Sequence, residues 1–258
     1  MGKRDIAIIA CALSIVGFSV WFTVNYDNMD WNTSAFEEVD AHSDHDHNEG
    51  ESHDYEVFQE QNTVLPLRDS YSVVVNGVSI IPMKTIDDSL YALLKEYYAY
   101  PDYISEDYQS DLVSIEEYSN WMTENVDANG NVEDISGQPQ YRMLMGGQLA
   151  TGGYIALFTC NLTNEVVKVK DAPIIGWVVL GDDQTEFSYD GLHYSATASE
   201  VDAVLGVDYE LQVIDSDANI IGRIYTYEDG STLTCDMSND TLVGLVYSEN
   251  IFKYAEVE

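Results

Sequence analysis

The stretch IIGRIYTYEDGSTLTCDM, residues 220–237, decides the fold of this chain. Two runs rich in β-branched and aromatic residues, 220–227 and 233–237, flank Asp229-Gly230, a dipeptide that is typical of a hairpin turn. A similar run precedes the stretch at 209–214, and another follows it at 242–247. Short runs at this spacing indicate antiparallel strands, so we predict a four-stranded meander at this end of the chain.

The strand pattern extends towards the N-terminus. The segment VVVNGVSI, residues 73–80, predicts a hairpin, because Asn-Gly supplies the two positive-φ positions of a type I′ turn. Further strands are predicted at 154–160, 166–169 and 174–180. Helix starts are predicted where Thr or Ser precedes acidic residues, at Thr85, Ser114 and Thr197, and the last helix should end at Gly206. The fold class is therefore α+β, an antiparallel sheet domain with two or three short helices.

A membrane anchor is predicted near the N-terminus. Every residue of Ile6–Val24 is apolar or small, and at ~1.5 Å per residue a helix of this length reaches roughly 28 Å, close to the thickness of the bilayer core. Lys3 and Arg4 precede the segment, and Arg68 is the first basic residue after it. We expect a single-pass transmembrane helix with the N-terminus in the cytoplasm and the rest of the chain outside.

Two alternatives to a membrane anchor remain for the segment Ile6–Val24, a cleaved signal peptide and a lipoprotein signal. A cleaved signal peptide would carry a small-x-small site after its apolar core, and the residues that follow Val20 do not fit one. A lipoprotein would be modified at Cys11, but only five apolar residues, beginning at Ile6, precede that cysteine. An uncleaved anchor is the better interpretation of both observations.

The charge of the chain limits its partners. It has 46 acidic and 10 basic residues, a formal net charge of -36. Binding to nucleic acid needs a Lys/Arg footprint, so the composition excludes this class, and it disfavours docking on anionic lipid. An acidic surface of this kind favours solubility, cations and basic partners.

Three regions follow from these patterns. We predict a transmembrane anchor over residues 1–26, a disordered acidic spacer over 27–69, and an extracytoplasmic α+β domain over 70–258. The domain could divide into sub-modules at 70–181 and 182–258.

The predicted spacer holds four of the five histidines, interleaved with aspartates. Imidazole and carboxylate groups ligate Zn²⁺ and similar ions, and a flexible tract can wrap a weakly bound divalent metal. The alternative is a polar spacer without a ligand, since no HExxH or HxxxH motif is present. The candidate ligands are His42, His45, His47 and His53. No other cofactor is indicated.

Two cysteines lie in the predicted domain, Cys160 and Cys235, each within an apolar strand-like segment. In an oxidising compartment they could form a disulfide. The alternative is a pair of buried free thiols, because the sequence does not give their distance.

Residues 91–121 are dense in aromatic side chains. Exposed aromatics could stack on a glycan or anchor a protein partner, whereas buried ones would only fill the core. The candidates for binding are Tyr97, Tyr98, Tyr100, Tyr103 and Trp121.

The segment 197–247 combines a capped helix ending in Leu205-Gly206 with the hairpin IYTYEDG (224–230) and the closing run LVGL (242–245). In this it resembles the helix-plus-sheet module of BamE/SmpA-like and β-lactamase-inhibitor-protein-like folds. From Tyr71 onward, including TNE (163–165) and IGW (175–177), the chain is similar to uncharacterised exported proteins of Gram-positive bacteria. The resemblance implies binding or scaffolding and carries over no catalytic residue.

The sequence thus favours a membrane-anchored, non-catalytic binding protein of the cell envelope, with an envelope protein or a glycan as partner. A surface protein that binds metal through its spacer is one alternative. An extracellular hydrolase with paired carboxylates is another, although no pair stands out in the sequence.

Overall fold

A computed structural model describes residues 64–98, 103–125, 138–215 and 220–254. They form an α+β fold with four α-helices and one dominant, mostly antiparallel sheet. None of the helices in these ranges is long and apolar enough to cross a membrane. The predicted anchor and most of the predicted spacer lie outside the described residues.

The elements follow one another in this order. The strands are β1 Val64–Leu65, β2 Val73–Val75, β3 Val78–Ile80, β4 Asp111–Leu112, β5 Arg142–Gln148, β6 Tyr154–Cys160, β7 Val167–Lys168, β8 Ile174–Leu180, β9 Phe187–Tyr189, β10 Leu192–His193, β11 Glu210–Asp215, β12 Ile220–Tyr227, β13 Thr232–Ser238 and β14 Thr241–Ser248. The helices are α1 Asp88–Tyr97, α2 Ile104–Gln109, α3 Ile115–Asn125 and α4 Ala198–Leu205. Short 3₁₀ helices span Val169–Asp171 and Ile251–Tyr254.

The main sheet confirms the predicted meander. Its strand order is β1-β12-β13-β14-β8-β6-β5, and β11 also pairs with β12. All its pairings are antiparallel except β1 with β12, where Val64 lies opposite Thr226. The outer edge of β12 is therefore shared, with β11 along its first half and β1 along its second.

Tight turns set the register of the hairpins, as predicted from Asn76-Gly77. These two residues have φ of 48° and 81° and join β2 to β3. A second two-residue turn, Asn239-Asp240, joins β13 to β14 with φ of 49° and 61°. Positive φ at both central positions gives the twist that matches antiparallel strands.

A smaller sheet, β10-β9-β2-β3, packs with the helices against the main sheet. The core between these layers is rich in aromatic side chains, among them the fully buried Trp177. Its indole nitrogen donates to the Tyr71 carbonyl over 3.0 Å, so this large side chain is buried with its polar atom paired.

The helix caps were predicted with one error. Ser114 accepts from the Glu117 amide at the start of α3, and Thr197 forms a full capping box with Glu200 at the start of α4. The cap of α1 is Asp87, whose side chain accepts from the Leu90 amide, and not Thr85 as predicted. The apolar face of α1 then begins at Leu90, one turn after Asp87.

Residues on both sides of two predicted boundaries pair or pack with each other. The domain includes residues assigned to the spacer, because β1 pairs with β12 and Arg68 forms an ion pair with Asp190. The two predicted sub-modules share one sheet, since β8 from the first is hydrogen-bonded to β14 from the second. Both segments contribute to one core.

Candidate binding groove beside an exposed edge strand

Strand β11 reaches the edge of the main sheet because α4 ends sharply. Gly206, with φ of 92°, follows the last helical residue, and its amide donates to the Asp202 carbonyl. A left-handed residue at this position turns the chain out of the helix axis. The chain then enters β11 antiparallel to β12, with Leu211 opposite Arg223 and Val213 opposite Ile221.

Apolar side chains on this part of the sheet are exposed. Leu211 is 57% exposed, Val213 69% and Ile221 37%. They share one face of the sheet, because side chains of residues paired across an antiparallel ladder point to the same side. Helix α4 packs on β10 and β14 and reaches β12 through the ion pair of Asp202 with Arg223, and Leu211, Val213 and Ile221 stay exposed beside it.

A groove of about 420 Å³ lies on this face. Its floor and walls are formed by Tyr209, Leu211, Ile221, Arg223, Met237 and the Asn239-Asp240 turn. The lining is thus about equally polar and apolar, since Tyr209, Leu211, Ile221 and Met237 lie beside Arg223, Asn239 and Asp240.

The basic residue of the groove is neutralised. Arg223 Nη1 donates to Asp202 Oδ1 over 2.7 Å, and the guanidinium lies 4.7 Å from the centre of the Tyr209 ring. Among the described residues, no basic side chain forms an ion pair with Asp208, Glu210 or Asp240, which are all exposed. The surroundings of the groove therefore carry net negative charge.

The groove lacks the pair of carboxylates that is typical of a glycosidase site. Of the described residues that line it, only Asp240 is acidic, whereas glycoside hydrolysis normally uses two opposed carboxylates. Cys235 lies on the same strand as Met237 but is buried, and burial raises the pKa of its thiol, so it is a poor nucleophile.

The structure separates the aromatic residues that the sequence singled out for binding. Tyr97 is buried, and its hydroxyl is 2.9 Å from Thr185 Oγ1, so it belongs to the core and is not available to a partner. Tyr98 is half-buried and donates to Asp107 Oδ2 over 3.2 Å. Tyr103 is 57% exposed and Trp121 half-buried, on or beside different helices, and Tyr100 lies outside the described residues. The four other aromatics stay candidates. The three that the structure describes, Tyr98, Tyr103 and Trp121, do not line the groove.

The two cysteines are not joined. Cys160 on β6 and Cys235 on β13 are buried free thiols, with β14 and β8 between their strands. Strands in a sheet are about 4.8 Å apart, so three spacings exceed the ~7 Å limit between the Cα atoms of a disulfide. The predicted alternative of two buried thiols is the one that the structure has.

The four histidines predicted to bind a metal ion do not belong to the groove. His42, His45, His47 and His53 lie outside the described ranges, so metal binding by this tract stays a prediction. Within the part of the chain that the structure describes, no group of three or more His, Cys, Asp or Glu side chains is placed to hold a metal ion.

The groove was not predicted from the sequence. Strand β11 was predicted, and its alternation of Glu210, Leu211, Gln212 and Val213 could have suggested a strand with one apolar face. Its position at the sheet edge depends on the pairing of distant strands, and the exposure of Leu211 depends on where α4 packs. Neither follows from local sequence.

The resemblance to BamE/SmpA-like and inhibitor-protein-like modules stays a prediction. It would place the helix-plus-sheet unit formed by α4 and β11–β14 in a known class of binding modules. No family model, no curated protein and no solved structure matches the chain.

Proposed function

We propose that this chain is a non-catalytic binding protein of the cell envelope, anchored by Ile6–Val24 and presenting its α+β domain outside the membrane. It binds a macromolecular partner through the groove beside β11. The observation that carries this proposal is the exposure of Leu211, Val213 and Ile221 together on one open sheet face.

The three exposed apolar side chains lie next to one another. Single exposed apolar side chains are common, but three adjacent ones beside a concave surface gain free energy when a partner covers them. Covering a Leu or Val side chain contributes roughly 1–2 kcal/mol each at about 25 cal/mol per Å². A small contact area at this face can therefore stabilise a complex even without hydrogen bonds.

The proposed location rests on the sequence. The segment Ile6–Val24 has the length and apolarity of a spanning helix. Lys3 and Arg4 precede it and no Lys or Arg follows it before Arg68, an asymmetry that favours an outside domain. The described domain begins at Val64, where β1 pairs with the second half of β12. The polypeptide from the membrane thus joins the domain on the same sheet edge that carries β11.

The experiment is site-specific photo-crosslinking of the full chain in membranes of its own cells. A photo-reactive phenylalanine analogue replaces Leu211 in one variant and Val166 in another; Val166 is 54% exposed but lies outside the groove. We expect a discrete light-dependent adduct from position 211 and none from position 166. Absence of an adduct at 211, or the same adducts at both positions, would overturn the proposal.

A further inference from the structure

Resting on the proposed function, we infer that the partner of the groove presents an extended basic segment, which adds to the free edge of β11 as a further strand. The segment alternates apolar and basic side chains. Its apolar residues cover Leu211, which lines the groove, and Val213 beside it, and its Lys or Arg residues face the acidic side of the edge.

The backbone of β11 is open to such a partner. Among the described strands it pairs only with β12, so the backbone groups along its other edge have no strand to bond. Its sequence, ELQVID, contains neither Pro nor Lys, the residues that most often protect an edge from strand addition. The opposite edge strand, β5, carries Arg142 and a Gly146-Gly147 pair, which both weaken pairing.

The two-residue alternation of side chains in a β-strand defines the order of apolar and basic residues in the partner segment. In a paired strand, alternate side chains lie on the same face, so every second residue of the partner would sit beside Leu211, Val213 and the groove. The residues between them would lie on the face of Glu210, which is exposed and without an ion-pair partner among the described residues. Apolar residues suit the first face and basic residues the second.

The charge around β11 favours a basic partner over a second copy of the chain or the chain's own residues 27–63. A second copy of the chain would bring another β11, with its own Asp208 and Glu210, into a pairing of like charges, and each copy carries a formal charge of -36. The chain's own residues 27–63 contain no Lys or Arg, so they offer no complementary charge either. A basic partner meets no such repulsion and is attracted over a distance of about 8–10 Å at physiological salt.

The test uses the full chain in detergent and a labelled synthetic peptide of alternating valine and lysine with blocked ends. Two matched peptides replace lysine by glutamate, or carry N-methyl groups on the valines, which removes backbone donors. Two protein variants complete the design. Val213→Lys places a basic residue on the edge at a 69% exposed position, and Val166→Lys is the matched control at a 54% exposed position.

Fluorescence anisotropy should show binding of the valine-lysine peptide that weakens at least about tenfold with Val213→Lys and changes less than about twofold with Val166→Lys. The glutamate and N-methyl peptides should bind at least about tenfold more weakly than the parent peptide. Circular dichroism of both variants checks that they remain folded.

Any of the following results would overturn the inference. Equal affinity for both variants would show charge attraction without a site. Tolerance of N-methylation would show that no strand is added. Sedimentation that gives a dimer of the unmodified chain, abolished by Val213→Lys, would assign the edge to a second copy. If the valine-lysine peptide does not bind while the crosslink at position 211 persists, the partner is of another kind and the proposed function stands. If neither the binding nor the crosslink is observed, both the inference and the proposed function are wrong.

Discussion

Arg223 on β12 donates to Asp202 on α4 over 2.7 Å, and this ion pair fastens the helix to the wall of the groove. The arginine side chain is 11% exposed and the aspartate side chain 33%. The pair is thus largely shielded, and its loss leaves a carboxylate beside an apolar surface.

We expect Arg223→Ala to lower the free energy of unfolding by about 1–3 kcal/mol, because a partly buried, charge-assisted bond and the stacking on Tyr209 are lost together. The matched control is Lys168→Ala, which removes the exposed pair with Asp111 and should cost no more than about 1 kcal/mol. Denaturant unfolding of the full chain in detergent measures both. Equal losses would show that burial of the Arg223 pair contributes nothing.

Asp236 gives a prediction about pH. It lies on β13 between Gly222 and Gly244, is 9% exposed, and its Oδ1 has no hydrogen-bond partner. Burial raises the pKa of this carboxyl from 3.8 to about 7. The folded state therefore holds the proton more tightly than the unfolded chain does.

The contribution of Asp236 to stability is complete below about pH 4 and is lost as the pH rises towards 7, by up to about 4 kcal/mol. Asp182 and Asp229 have lowered pKa values, so their contributions to stability are lost as the pH falls. The informative quantity is therefore the difference in unfolding free energy between the Asp236→Asn variant and the unmodified chain, in which these contributions cancel. We expect Asp236→Asn to gain stability relative to the unmodified chain between pH 4 and 7. Parallel pH profiles of the two unfolding free energies would contradict this.

Gly146 on β5 tests the packing of the sheet. Its φ is 148°, and a Cβ added there would lie 2.0 Å from the carbonyl oxygen of Ile155 on the neighbouring strand. Because the obstacle is backbone, Gly146→Ala should destabilise the domain by about 3 kcal/mol or more. Gly191→Ala is the control: its φ of 86° is also left-handed, but nothing lies within 4 Å of the added Cβ, so about 1–2 kcal/mol is expected.

For these two glycine variants, the midpoint of thermal unfolding ranks the losses. A smaller loss for Gly146→Ala than for Gly191→Ala would mean that β5 and β6 separate easily at this point.

Local patterns in the sequence were sufficient to predict most of the sheet. The strands of the C-terminal meander have continuous β-rich runs, β12 and β13 each end at a turn dipeptide, and these features act over a few residues. The cap of α1 was misplaced because Thr85 and Asp87 are both good caps two residues apart. Only the packing of Leu90 and Leu94 decides between them.

The candidate site could not be predicted in the same way. Leu211 and Val213 have the residue types of an ordinary strand, and their exposure arises from tertiary structure. Conversely, Tyr97 looked suitable for binding by composition, but its position on the apolar face of α1 places it in the core. Burial depends on which faces meet, and a single sequence does not specify this.

The proposed topology leads to the last prediction. The full chain, tagged at both ends, is expressed in its own cells, and intact cells are treated with a protease. We expect the tag after Glu258 to be digested while the tag before Met1 stays protected, because positive residues flanking a spanning helix favour the cytoplasmic side and Lys3 and Arg4 flank Ile6. Both tags should stay on one polypeptide before digestion, since an uncleaved anchor is proposed.

Two variants make this test specific. Replacing Lys3 and Arg4 by glutamate removes the positive flank and should expose part of the population's N-terminal tag, whereas Cys11→Ala should change nothing if the segment is a spanning helix. Release of the chain from membranes by Cys11→Ala would instead show that a lipid on this cysteine holds the protein. Loss of the N-terminal tag from a shorter product would show a cleaved signal. Either result would move the domain's attachment but leave the groove beside β11 on the same side of the membrane.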